Sequence, residues 1–217
     1  MFVQPQPQAR DQDRLGGAPL PGVEVRLAED GEVLLRGGSV AAGYYKDPEH
    51  TAETFDADGW LHTGDIGELS SDGWLRIVDR KKELIITAGG KNISPANLET
   101  LLKRHPLVGQ AFVYGDRKPY VVALIVLDRD AAPGWARAHG MEFTSLEAFA
   151  ADSRVHAEIE RAVQAANREV SRVEQIKRFT ILPGEWTVES EELTPTLKLK
   201  RRVIQQRYAP QLEALYR

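Results

Sequence analysis

The 217-residue chain contains no cysteine. That excludes disulfide staples, thiolate metal sites and a cysteine nucleophile, and it fits a cytoplasmic protein. Long apolar runs are missing too: none approaches the roughly 20 consecutive apolar residues a membrane-spanning helix needs. The opening "MFVQPQPQARDQDRLGG" has no apolar signal-peptide core and reads as a frayed, Pro/Gln-rich lead-in. Charge of one sign is not in excess. Lys and Arg number 28 against 32 Asp and Glu, a formal charge of −4, so no nucleic-acid partner is expected. The five histidines show neither metal-ligand spacing nor a Ser/His arrangement for hydrolysis, and no metal site is expected. No internal repeat is visible.

What is present is an ordinary globular composition, 42% hydrophobic and 28% charged, enough for a real core. From Gly22 to about Val78 the chain reads as strand and turn. "VEVRLAEDGEVLLRG" alternates apolar and polar residues around Asp30-Gly31, a hairpin signal. In "DADGWLHTGDIGELSSDGWLRIVDR" the pairs Asp58-Gly59 and Asp72-Gly73 mark turns, and Asp65 follows Thr63-Gly64 in what reads as a tight turn. "DPEHTAETF" predicts a short helix capped by Asp47, with Pro48 at its first position. After Arg80 the pattern changes. "ELIIT" reads as a strand, and "SPANLETLLKRHP" as a helix with Ser94 at its N-cap and Leu98, Leu101 and Leu102 on one face. "VGQAFVYGD" and "YVVALIVLD" are apolar strands joined around Gly115–Pro119. Residues 145–176 read as largely helical, with Val155, Ile159, Val163, Ala166, Val170 and Val173 at spacings of three and four. "KRFTILPG" is a third strand, and the C-terminus is a loop leading into one basic amphipathic helix. The expected fold is α+β: a small antiparallel β unit, then a compact unit with a short mixed sheet flanked by helices. The shift in pattern places a boundary near Asp79–Lys82.

Several polar positions draw attention, each with a plainer alternative. Asp65 suits hydroxyl donors, and equally an Asx turn. Arg80 is a fork of donors or a solvated strand end. Gly89-Gly90-Lys91 permits close backbone approach to a ligand, or is a routine turn; the Gly-x4-Gly-Lys-Ser/Thr spacing of a phosphate-cradling loop is missing. "KLKRR" reads as a basic helix start, a membrane-facing patch or a solvated charge run.

Three stretches together resemble the AMP-forming adenylating enzymes, the superfamily of acyl-CoA synthetases, luciferases and adenylation domains. They are "GWLHTGDIGELSSDGWLRIVDRKKELI", "AGGKNISPANLE" and "TPTLKLKRR". Their order and spacing run over nearly the whole chain from Leu15 onward. The wording of the last two, and a helical insert around residues 129–175, resemble the long-chain fatty acyl-CoA synthetase branch. Members are much longer and carry a Ser/Thr/Gly-rich phosphate loop and a Tyr-Gly-x-Thr-Glu segment, neither of which occurs here.

The resemblance therefore implies the C-terminal part of such an enzyme. Residues 1–79 would be the last β-rich subdomain of the large domain, 80–82 a hinge, and 83–217 the mobile C-terminal domain. The missing N-terminal large domain would be a partner, alongside fatty acid, ATP (released as AMP) and CoA, with Mg2+ held mainly by ATP and that missing region. Asp65 and Arg80 would bind nucleotide, Lys82 would be the hinge, and Gly89, Gly90 and Lys91 would line the CoA side. Lys198 would be the catalytic lysine, in a pattern of Gly-Lys, aliphatic, any residue, Arg, with Leu197 replacing the glycine. Lys200 is its rival if the register shifts by two. Peripheral membrane contact would fit this branch. The same resemblance leaves open a non-catalytic module of the same fold, or a ligase for another carboxylic acid.

Overall fold

The computed structural model describes residues 16–217; the Pro/Gln-rich lead-in lies outside the described residues. The chain forms two compact units, one through Glu83 and one from Leu84. The sequence alone placed the change slightly earlier, at Asp79–Lys82.

The first unit is an antiparallel sheet of five strands in the order β1-β5-β4-β3-β2. Its strands are β1 (Gly16–Gly17), β2 (Val23–Leu27), β3 (Glu32–Gly37), β4 (Leu61–Leu69) and β5 (Leu75–Arg80). The β2–β3 hairpin closes at Gly31, whose φ of +84° is the left-handed conformation that the Asp-Gly pair forecasts. Helix α1 (Pro48–Thr54) is capped by Asp47, whose carboxylate accepts from His50 N at 3.1 Å. Among the described residues the buried apolar side chains of this unit are few: Val33, Leu34 and Trp60. The guanidinium groups of Arg26 and Arg36 lie over the Trp60 ring, 4.5 and 4.4 Å from its centre.

The second unit is built on a mixed sheet of β8 (Val108–Tyr114), β9 (Val121–Leu127) and β10 (Ile176–Leu182), with β9 in the middle. β8 pairs antiparallel and β10 parallel to it. All seven residues of β9 are buried. Val121, Ala123, Ile125 and Leu127 face one core, with α2 (Pro95–Leu102), α3 (Ala131–Ala138), α4 (Leu146–Ala150) and α5 (Ser153–Arg168). Val122, Leu124 and Val126 face the other, with Trp186, Leu193, α6 (Arg201–Arg207) and α7 (Ala209–Ala214). A strand covered on both faces needs no polar alternation, which is why "VVALIVL" reads as one unbroken apolar run.

Two helices differ from the pattern in the sequence. The amphipathic run to Val173 breaks at Arg168: Asn167 binds both N and O of Ile176 at 2.8 and 2.9 Å, and Ser171 N donates to Glu174 at 2.9 Å. These side chains satisfy the backbone of a reversal into β10, leaving Val173 53% exposed. The single C-terminal helix is in fact two, α6 and α7, meeting at Tyr208, because Pro210 has no N–H to continue the helical ladder.

Two outcomes follow for stability. Ile125→Ala should lower the unfolding free energy of the second unit by about 2–5 kcal/mol and Val173→Ala by less than about 0.5 kcal/mol, read by chemical denaturation. Asp152 caps α5 and is gripped by Arg154, whose side-chain hydrogen bonds hold its carboxyl down to about 2 from 3.8. A depressed folded value means the contribution is complete above 3.8 and is lost as pH falls towards about 2. Asp152→Asn, which keeps a capping oxygen, should flatten that part of the acid unfolding curve.

Candidate functional site

In the first unit the polar residues collect where β4 departs from its partner. His62 pairs with Leu34 and Ile66 with Glu32, so β4 carries two residues more than β3 between those pairings. The surplus bulges at Thr63-Gly64-Asp65. Gly64 takes φ +71°, Thr63 Oγ1 donates to Val33 O at 2.7 Å, and Asp65 N donates back to Thr63 Oγ1 at 3.1 Å. Asp65 thus sits in a bulged strand rather than the tight turn its neighbours suggested; the period-2 pattern hides the insertion.

The bulge sets Asp65 opposite Arg80 on β5, with Nε 2.8 Å from Oδ1. Both are partly exposed, so the pair is a geometric constraint more than a source of stability. Arg80 occupies one of the several lone-pair directions of the carboxylate, which leaves capacity for hydroxyl donors. Next along, Lys81 places its ammonium 2.6 Å from Asp30 Oδ2 and 2.9 Å from Glu32 Oε2. Hydrogen bonds to these two carboxylates raise the Lys81 pKa, and Lys81 lowers that of Asp30. Burial pushes the Glu32 carboxyl up, but Lys81, His62 and the Gly64 N–H together outweigh it and hold it below its ordinary value. A cleft of about 560 Å³ runs past His62, Thr63, Gly64, Arg80, Lys81 and Lys82. Lys82 is exposed, in the one-turn 3₁₀ helix Lys81–Glu83 that ends this unit.

In the second unit Gly89-Gly90 does not lead straight into a helix. It closes a small hairpin between β6 (Ile85–Ile86) and β7 (Asn92–Ile93), with Gly90 at φ +75° and Gly90 N donating to Thr87 O at 2.8 Å. The helix start at Ser94 follows one strand later, its hydroxyl accepting from Asn97 N at 3.1 Å. The hairpin is stitched to the β8–β9 connection: Arg117 N donates to Ile86 O at 2.8 Å and Ala88 N to Lys118 O at 3.1 Å. Gly89, Gly90 and Lys91 are all exposed.

Lys198 stands at the foot of a tight hairpin. Leu197 N donates to Thr194 O and Thr194 N to Lys198 O, each at 2.8 Å, and Leu193 bridges Leu199 beneath. Pro195 suits the first corner, and Leu197 takes the left-handed position that closes such a three-residue loop, at φ +59°. A leucine there is strained, and it is the position at which the pattern named above has glycine. Lys198 is exposed. Lys200 is half-buried, and its backbone caps α6 while its N–H donates to Glu192 O at 2.7 Å.

Sequence reasoning missed the group that seats this hairpin. Arg201 forks onto Glu99 of α2, Nη1 to Oε1 at 2.9 Å and Nη2 to Oε2 at 2.6 Å, and Val113 N of β8 donates to the same Oε1 at 2.9 Å. Glu99 is buried at 7% exposure. The available signal was Glu99 itself, a carboxylate one residue from the buried Leu98. Among the described residues no group of three or more His, Asp or Glu is placed to hold a metal ion, and no helix is long and apolar enough to cross a membrane.

The model of the family described as AMP-binding enzyme C-terminal domain matches residues 82–217. Long-chain-fatty-acid–CoA ligase FadD15 of Mycobacterium tuberculosis (strain ATCC 25618 / H37Rv) is 47% identical over 201 residues, covering 92% of this chain and 33% of the relative. Human long-chain-fatty-acid–CoA ligase 6 is 36% identical over 213 residues, covering 92% and 31%. The chain thus spans about a third of the length of these relatives. Among solved structures, the A domain of a carboxylic acid reductase from Segniliparus rugosus, in complex with AMP and a co-purified carboxylic acid, superposes with a TM-score of 0.70 at 27% identity, over 92% of this chain and 32% of that one.

The strain at residue 197 is directly measurable. Leu197→Gly should leave stability unchanged or raise it by up to about 1 kcal/mol, because relief of the left-handed penalty opposes the extra chain entropy of glycine. Leu197→Val, branched at Cβ, should be less stable than the natural chain in the same denaturation assay.

Proposed function

Because this chain belongs to the AMP-binding enzyme C-terminal domain family, we propose that it supplies the C-terminal portion of a long-chain fatty acid–CoA ligase. In the first step a fatty carboxylate attacks the α-phosphorus of ATP, forming the acyl-adenylate and expelling pyrophosphate. In the second the CoA thiol attacks the adenylate carbonyl, forming the thioester and releasing AMP.

Within this reading Asp65 accepts the ribose hydroxyls and Arg80, already paired with it, orients it and reaches phosphate oxygens. Lys198 brings a compact ammonium to the carboxylate and α-phosphate as charge develops. Lys82 is the pivot on which the second unit turns, and Gly89-Gly90-Lys91 then serves the CoA side, with Lys91 facing a CoA phosphate. The acyl tunnel and phosphate loop are assigned to the N-terminal large domain of the ligase. Mg2+ is assigned mainly to ATP and to the N-terminal region of the ligase. A cytoplasmic location with peripheral membrane contact fits a long-chain substrate.

The observation that carries the reading is the placement of Lys198. It is exposed on a strained hairpin whose following residue but two, Arg201, is fixed to Glu99, so that "LKLKR" and "NLE" form one structure. That favours Lys198 over the half-buried Lys200.

A fusion of this chain to the upstream two-thirds of the FadD15 relative is the test. The fusion should make acyl-CoA, and Lys198→Ala should reduce ATP–pyrophosphate exchange by about 10²–10³-fold, while thioester formation from supplied acyl-adenylate stays within a few-fold. Loss with Lys200→Ala instead would move the role by two residues. The 217-residue chain alone should give no exchange; robust exchange would refute the assignment of the phosphate loop to other polypeptide.

A further inference from the structure

Glu32 is 5% exposed where β3 meets the bulge of β4, and three groups converge on it. Gly64 N donates to its Oε1 at 2.9 Å. Its Oε2 accepts from the Lys81 ammonium at 2.9 Å and lies 3.1 Å from His62 Nδ1. Lys81 also reaches Asp30 at 2.6 Å, and the other nitrogen of His62 is 3.8 Å from Asp56. Gly64 immediately precedes Asp65, and Lys81 immediately precedes Lys82. One buried carboxylate therefore holds the neighbours of both.

A buried carboxylate is tolerated only while its partners stay in place; withdrawing one leaves an uncompensated charge in a poorly solvated setting. A backbone rotation at Arg80, or about the N–Cα bond of Lys81, would carry the Lys81 ammonium away from Glu32 and Asp30. Rotation at Lys82, whose side chain is exposed, disturbs neither. We propose that Glu32 is a positioning residue that clamps Lys81, confining the pivot to Lys82 and beyond, and that through Gly64 it holds the Asp65 bulge at the same time. The proposal rests on the reading of Lys82 as pivot and Asp65 as ribose ligand.

The contacts divide cleanly for mutagenesis. Glu32→Gln keeps an oxygen for Gly64 but loses the ion pair with Lys81; Glu32→Ala loses both. Trypsin cuts after both Lys81 and Lys82, so the change in the ratio of the two cuts between the natural 217-residue chain and a variant reports how firmly Lys81 is held. Glu32→Gln should raise cleavage after Lys81 relative to Lys82 by about tenfold, the factor that corresponds to about 1.4 kcal/mol. In the ligase fusion, Glu32→Gln and Lys81→Met should lower kcat for thioester formation about tenfold while KM for ATP in adenylation stays within about twofold; Glu32→Ala should raise that KM as well. If Glu32→Gln fails to fold, Lys81→Met, which leaves Glu32 with His62 and Gly64, carries the kinetic arm. An unchanged tryptic ratio in folded Glu32→Gln, or equal losses in both half-reactions, overturns the clamp. A natural-sequence fusion that makes no acyl-CoA overturns the ligase reading instead, and the tryptic ratio still decides the clamp.

Discussion

The bidentate pair between Glu99 and Arg201 is the contact on which the second unit's arrangement turns. Desolvating a carboxylate at 7% exposure is costly, and the pair by itself is a poor source of net stability. Its value is geometric. Two parallel N–H···O bonds fix the guanidinium in both distance and plane, and the added Val113 N–H leaves α2, β8 and the start of α6 no freedom to slide past one another. Residues 194–200 hang from that fixed point. The hairpin bearing Lys198 can then tolerate a left-handed Leu197, because its base is held from both sides by Leu193–Leu199 and by Lys200 N to Glu192 O.

The first unit uses the same device with different partners. Few apolar side chains are buried among its described residues, and its bulge takes backbone groups out of the sheet ladder. Glu32 supplies the missing acceptor to Gly64 N and is compensated by Lys81 and His62. In both units a buried carboxylate binds a residue one to three positions from the polar side chain of interest, Gly64 beside Asp65 and Arg201 near Lys198, instead of that side chain itself. The exposed residue stays able to meet a ligand while its backbone is held by an ion pair it does not share.

Strain and support also coincide. Gly64, Gly90 and Leu197 are all left-handed, and each adjoins a residue with a proposed role: Asp65, Lys91 and Lys198. Left-handed positions turn the chain sharply enough to expose the next side chain from an otherwise paired ladder. Of these three positions, 197 is the one where that conformation is imposed on a residue with a Cβ.

The sequence by itself determined what depends on neighbours along the chain. Asp-Gly pairs marked turns, Asp47 and Ser94 marked helix starts, and "VVALIVL" marked a strand buried on both faces, because caps, turns and periodicity act over a few residues. The motif segments likewise named Asp65, Arg80, Lys91 and Lys198 as candidates. Only the tertiary structure decided what depends on residues far apart. The Asp65 bulge exists because Val33 and Glu32 accept from it; α5 stops at Arg168 because Asn167 ties it to Ile176; Arg201 is fixed by Glu99, 102 positions earlier. Each of these is a polar group satisfied across the fold, and a linear pattern carries no record of which distant donor or acceptor will meet it.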